Sequence, residues 1–86
     1  MAFKVIERRV RGKLRKLDGM DGPVAIVDVE DGPFDFRLGE TITQIGYSST
    51  EELLQDVGPA KFKEAFEDER VVDVTIPIKY STWERG

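Results

Sequence analysis

Alternating hydrophobic and polar positions predict a strand at each end of the chain. From Val72 to Tyr80 the even positions are apolar and most odd positions are polar, the period of a strand with one buried face. Pro77 has no amide hydrogen for a ladder, so we expect this strand at a sheet edge or bent there. From Phe3 to Leu17 the even positions are mostly apolar and the odd ones mostly charged. Gly12 costs a helix about 1 kcal/mol relative to alanine, so we predict a strand here too.

Shorter segments in the first half of the chain predict further strands. Val24–Val29 is rich in β-branched residues, and Phe34–Leu38 alternates apolar and polar residues. A strand over Glu40–Ile45 is also expected. Turn residues lie between these segments at positions 18–23 and 31–33.

Residues 49–69 predict two short helices. Ser49 and Glu52 fit a capping box, and the leucines that follow supply an apolar stripe. Gly58 and Pro59 stop the first helix, and Pro59 can begin the second. In the second helix Phe62, Ala65 and Phe66 share one side.

Together these elements predict a single α+β domain over residues 1–86. We expect a small, mostly antiparallel curled sheet or open barrel of four to five strands, with one or two short helices inserted before the last strand. The predicted core is Val5, Val10, Leu14, Val27, Val29, Phe34, Phe36, Leu38, Leu53, Leu54, Phe62, Phe66, Val72, Val74, Ile76 and Ile78.

A hairpin through the 18–23 turn sets the register of the first two strands. With Leu17 opposite Val24, apolar residues face each other on one side of the sheet and opposite charges on the other. A slip of one residue would turn charges towards the core. The opposed pairs are then Leu14–Val27, Lys13–Asp28 and Arg11–Glu30.

Composition excludes several chemistries. The 86 residues include no cysteine and no histidine, which removes disulfides, thiolate chemistry and the commonest zinc ligand and acid–base group. No apolar run approaches the roughly 18 residues of a membrane span. We expect a soluble, cytoplasmic protein without a cofactor or an assigned metal site.

Charge is distributed very unevenly along the chain. Seven Lys and Arg residues and one Glu lie among the first 16 residues, whereas the whole chain has a net charge of −4. Such a segment is typical of an arm that binds nucleic acid, or of a strand neutralised within its own fold. The candidate nucleic-acid residues are Arg9, Arg11, Lys13 and Arg15, which repeat at about 6.6–6.8 Å along a strand.

Three functions remain open, and the specific function is not determined. The favoured one is a non-enzymatic protein-interaction module that binds another protein, or a copy of itself, through a sheet edge and exposed aromatics, with Tyr80 and Trp83 as candidates. An RNA-binding module that uses the basic strand is the alternative. The third is a small metal-dependent or acid–base enzyme, for which the nearest candidates are Asp28, Glu30, Asp31 and Asp35. Cations interleaved with carboxylates would favour the first function, and a continuous positive face the second.

Overall fold

A computed structural model describes residues 2–19 and 21–84; Met20, inside the predicted turn, lies outside them. The elements are β1 (Ala2–Lys16), β2 (Ala25–Val29), β3 (Phe34–Asp35), β4 (Glu40–Thr41), β5 (Gln44–Tyr47), α1 (Thr50–Val57), α2 (Pro59–Phe66) and β6 (Val72–Glu84). The predicted fold class is confirmed: strands pair antiparallel, two short helices precede the last strand, and the sheet is not closed into a barrel.

Within residues 2–19 and 21–84, four strands form the main sheet in the order β5-β2-β1-β6, and β3 and β4 form a separate pair. The predicted register of β1 and β2 is confirmed, with Leu14 opposite Val27 and Leu17 N donating to Val24 O at 2.9 Å. β6 is an edge strand, as Pro77 predicts.

β1 is paired with β6 from Ala2 to Leu14, but with β2 only from Gly12 to Lys16. Among the described residues, its first half therefore pairs only with β6 and forms a two-stranded ribbon. We call residues 2–9 and 77–84 the distal ribbon.

The helices begin and end where the local sequence predicts. Ser49 Oγ accepts a hydrogen bond from Glu52 N at 3.4 Å and caps α1. Gly58, with φ of 88°, ends α1, and Pro59 opens α2. Both helices contact β6, and their buried residues complete a core on the even-numbered face of β1 and β6. The buried apolar residues are Val10, Leu14, Ala25, Val27, Tyr47, Leu53, Ala65, Val72, Val74, Ile76 and Ile78.

Five residues predicted in the core are exposed instead. Leu54 follows the fully buried Leu53 on α1 but points away from the sheet, and Val5 lies on the distal ribbon, beyond the end of β2. The other three belong to β3 and the turn after it, where the predicted strand ends at Asp35. The five are Val5, Phe34, Phe36, Leu38 and Leu54.

Tyr47 is a buried aromatic residue of β5. It lies opposite Ala25 in the sheet, and its hydroxyl donates to Asp56 Oδ2 of α1 at 2.7 Å. Burial, together with this carboxylate, raises the pKa of the Tyr47 phenol. Tyr47 therefore ties α1 to the β5 edge of the sheet.

Candidate interaction surface

The four cations predicted for nucleic acid lie on one exposed face of β1. Arg9, Arg11, Lys13 and Arg15 occupy alternate positions, opposite the face that packs on the helices. Carboxylates from the neighbouring strands share this face, because Asp28 of β2 and Asp73 of β6 both lie opposite Lys13. Positive and negative groups are thus interleaved across the three strands.

Lys13 forms its ion pair with Asp73 of β6 and not with Asp28 of β2, the predicted partner. Its Nζ lies 2.7 Å from Asp73 Oδ1, so the expected side-chain pair with Asp28 does not form even though their Cα atoms are opposed. The hydrogen bond and charge of Lys13 lower the pKa of Asp73, and the same contact raises the pKa of Lys13. A lysine between two carboxylates can reach either, and the strand register alone does not choose between them.

Asp28 is held instead by Gln44 and Arg15. Gln44 Nε2 donates to Asp28 Oδ1 at 2.9 Å, and Arg15 Nε donates to Oδ2 at 3.0 Å. These hydrogen bonds lower the pKa of the Asp28 carboxyl, and the bond from Gln44 has the larger effect. Arg15, to which the sequence assigned no partner, is therefore neutralised within the fold.

Arg9 and Arg11 have no carboxylate within 4.0 Å in residues 2–19 and 21–84. The predicted Arg11–Glu30 ion pair is absent from this part of the chain, although Glu30 N donates to the Arg11 carbonyl at 3.0 Å. Both arginines line an open groove of about 640 Å³, which also includes Glu30, Lys61 and Asp73. The basic face is therefore neutralised towards Arg15 and unpaired towards the distal ribbon.

The distal ribbon carries an exposed aromatic pair. Phe3 lies opposite Trp83, and their ring centroids are 5.0 Å apart in an edge-to-face arrangement. Phe3 is 56% exposed and Trp83 41% exposed, and Val5 on the same face is also exposed. Tyr80, the second predicted aromatic, is partly buried and lies on the opposite face, so it does not join this cluster.

The β3–β4 hairpin presents its aromatic side chains to solvent. Phe34 and Phe36 are exposed and pack edge to face with centroids 4.8 Å apart, whereas Asp35 between them is only 3% exposed. Asp35 Oδ1 accepts from Arg37 N at 2.9 Å, and Phe36 N donates to the carbonyl of Ser81 at 3.3 Å. The hairpin thus lies beside β6 with the polar face inward, the reverse of what alternation predicts.

The acidic residues proposed for a metal ion are not brought together. Within residues 2–19 and 21–84, no three acidic side chains are close enough to share an ion. Asp28 is engaged by Arg15 and Gln44, and Asp35 is buried beside Arg37. Among the helices of the described residues, none has the length and apolar character to cross a membrane.

Comparison of the chain with protein-family models, with curated proteins and with solved structures finds no match. Function is therefore inferred from the geometry and charge of the described residues.

Proposed function

We propose that this protein is a non-enzymatic interaction module that binds another protein chain through the distal ribbon. The carrying observation is the exposed Phe3–Trp83 pair, with the exposed Val5 beside it on the same face. Exposed apolar side chains grouped on a small protein are typical of an interaction site, and tryptophan is enriched among residues that dominate binding energy.

The distal ribbon also has a strand edge, on β1, whose backbone groups are free to pair with another strand. Within the described residues, the first half of β1 has a strand on one side only. A free strand edge binds an extended segment through main-chain hydrogen bonds, while neighbouring side-chain contacts provide specificity. An aromatic cluster beside a free edge therefore combines two features of protein-binding sheets.

A cytoplasmic location, expected from composition, is part of this proposal and is tested by cell fractionation.

Site-specific photocrosslinking in the cells that produce the protein tests this function. A benzophenone amino acid replaces Trp83 in one variant and Val71 in a matched control, since Val71 is apolar and 63% exposed but lies outside the distal ribbon. We expect a discrete protein adduct from position 83 and none from position 71. No adduct at position 83, or the same adduct from both positions, would contradict the proposal.

RNA binding is the second candidate, and two observations favour it. Arg9 and Arg11 are unpaired with carboxylates in the described part of the chain, and the exposed Phe34 and Phe36 present aromatic rings of the kind on which bases stack. The carboxylates interleaved on the same face weaken the field that phosphate would meet.

Salt-dependent binding of a single-stranded RNA oligonucleotide separates the two functions. RNA binding requires an affinity that falls steeply with salt and is reduced by Arg9→Ala and Arg11→Ala, but not by Lys63→Ala on α2. Absence of binding at low salt excludes this candidate and leaves the protein-binding proposal in place.

A further inference from the structure

The free edge of β1 has its hydrogen-bonding groups at odd positions. Leu17 N donates to Val24 O, and Arg11 O accepts from Glu30 N, so odd residues of β1 direct their backbone groups towards the β2 side. Antiparallel strands alternate in this respect along their length. Beyond the end of β2, Phe3 and Val5 therefore hold amide hydrogens and carbonyls that no described strand uses.

The contact at Ser81 is consistent with this alternation. Ser81 lies opposite Val5, so its own hydrogen-bonding groups turn away from β1, and its carbonyl indeed accepts from Phe36 N. The outer edge of β6 is thus already engaged at Ser81. It also contains Pro77, which has no amide hydrogen. Of the two edges of the distal ribbon, β1 is the one available for pairing.

We propose that the partner is a second copy of this chain, joined antiparallel along β1 with Val5 opposite Val5 of the second copy. This inference rests on the proposed function and names its partner. In a two-fold pairing of this kind, residues whose numbers sum to ten face each other. Phe3 then faces Glu7, and Lys4 faces Ile6, so no two like charges are directly opposed.

Other centres of symmetry along this edge are unfavourable. Centring the pair on Lys4, Glu7, Arg8 or Arg9 places a charged side chain against its own copy. Centring it on Ile6 places Lys4 against Arg8. Directly opposed like charges destabilise a strand pair, so charge selects the Val5 centre among positions 4–9.

The same register unites the exposed aromatic clusters. Phe3, Val5 and Trp83 share one face of the ribbon, so pairing at Val5 places the two clusters next to each other across the new strand pair. The Val5–Val5 pair and both Phe3–Glu7 pairs each exchange two backbone hydrogen bonds. The interface is isologous and closed, because each copy supplies one edge and uses it once.

Sedimentation velocity on the full chain, with charge-swap variants, tests this pairing. We expect the wild-type protein to dimerise, and Val5→Lys and Val5→Glu each to be monomeric at concentrations where the wild type is mostly dimer. Mixing the two variants is expected to restore a one-to-one dimer, because lysine then faces glutamate. Val71→Lys, another change at an exposed apolar position, is the control and is expected to leave the dimer intact.

Several results would overturn the pairing. A monomeric wild type, a Val5→Lys protein that dimerises like the wild type, or a mixture that stays monomeric each excludes Val5 as the centre. Val5 is 66% exposed, so both variants are expected to fold, which far-UV circular dichroism checks. A monomeric wild type whose position 83 still crosslinks to another protein excludes only self-pairing. A monomer without any adduct excludes the proposed function as well.

Discussion

Gly12 lies where β1 closely approaches β2, and a single added methyl group tests that packing. A Cβ at position 12 would lie 2.6 Å from Val27 Cγ1 and 2.7 Å from the Asp28 carbonyl oxygen. Both separations are far shorter than van der Waals contact. Val27 is fully buried, and the carbonyl belongs to backbone paired in the sheet, so neither atom can move away freely.

Two effects of opposite sign determine the stability of Gly12→Ala. Replacing a strand glycine with alanine normally gains about 0.5–1 kcal/mol, because the unfolded chain loses freedom. Inserting a methyl group into a filled space costs about 1–3 kcal/mol. Because one of the clashing atoms is backbone, we expect the upper part of that range and a net loss of about 1–2 kcal/mol. For a domain of this size the melting temperature then falls by roughly 4–16 °C.

Thermal and urea unfolding, followed by far-UV circular dichroism, measure this loss. Gly46→Ala is the matched control, since a Cβ there would meet its nearest neighbour, Pro23 Cβ, at an ordinary 3.4 Å. Since Gly46 also lies in a strand, we expect the control to gain up to about 1 kcal/mol from the same loss of freedom in the unfolded chain. A Gly12→Ala protein that is as stable as the wild type or more stable, beside a control that is not destabilised, would refute the close approach of β1 and β2.

Three further predictions concern the core and the titrating side chains. Leu53→Ala is expected to lower the free energy of unfolding by about 2–5 kcal/mol in urea titrations, and Leu54→Ala by much less, because only Leu53 is fully buried; equal losses would contradict the orientation of α1. The pKa of Asp28 is lowered in the folded state by two side-chain hydrogen bonds, so its carboxylate stabilises the fold above its ordinary pKa and this contribution is lost in acid. The melting temperature of Asp28→Asn should therefore fall less than that of the wild type below about pH 4. An equal fall in both proteins would contradict the hydrogen bonds to Asp28. Tyr47 has a raised pKa in the folded state, so its contribution to stability is retained below its ordinary pKa and lost as the pH rises above about 10. Tyr47→Phe should remove this loss of stability at alkaline pH, and a variant that loses as much stability there as the wild type would contradict the burial of Tyr47.

Local sequence predicted the elements that carry strong periodic or terminal signals. The β1–β2 register follows from alternation over many residues, since a one-residue slip would expose Leu14 and bury Lys13. The bounds of α1 follow from Ser49 and Gly58, which act on the backbone next to them. These features depend on residues that are close in sequence, and for that reason a single amino-acid sequence is enough to predict them.

The candidate surface was predicted only in part, for an identifiable physical reason. Trp83 was predicted as an exposed aromatic near the end of the chain, but its partner Phe3 lies at the other end and was identified only through the β1–β6 pairing. Lys13 stands between two acidic strands, and side-chain geometry selects Asp73. In both cases a contact between distant segments decides the outcome.

The sequence by itself determined which residues share a face, where the helices begin and end, and that the chain has no thiol or imidazole chemistry. Only the tertiary structure decided which face of each short element is covered. Residues 34–36 alternate as a core strand should, yet Asp35 is buried and Phe34 and Phe36 are exposed, because the hairpin lies beside Ser81 of β6 with its polar side inward. Periodicity divides side chains between two faces, but burial depends on the surface that packs against each face, and that surface comes from a distant part of the chain.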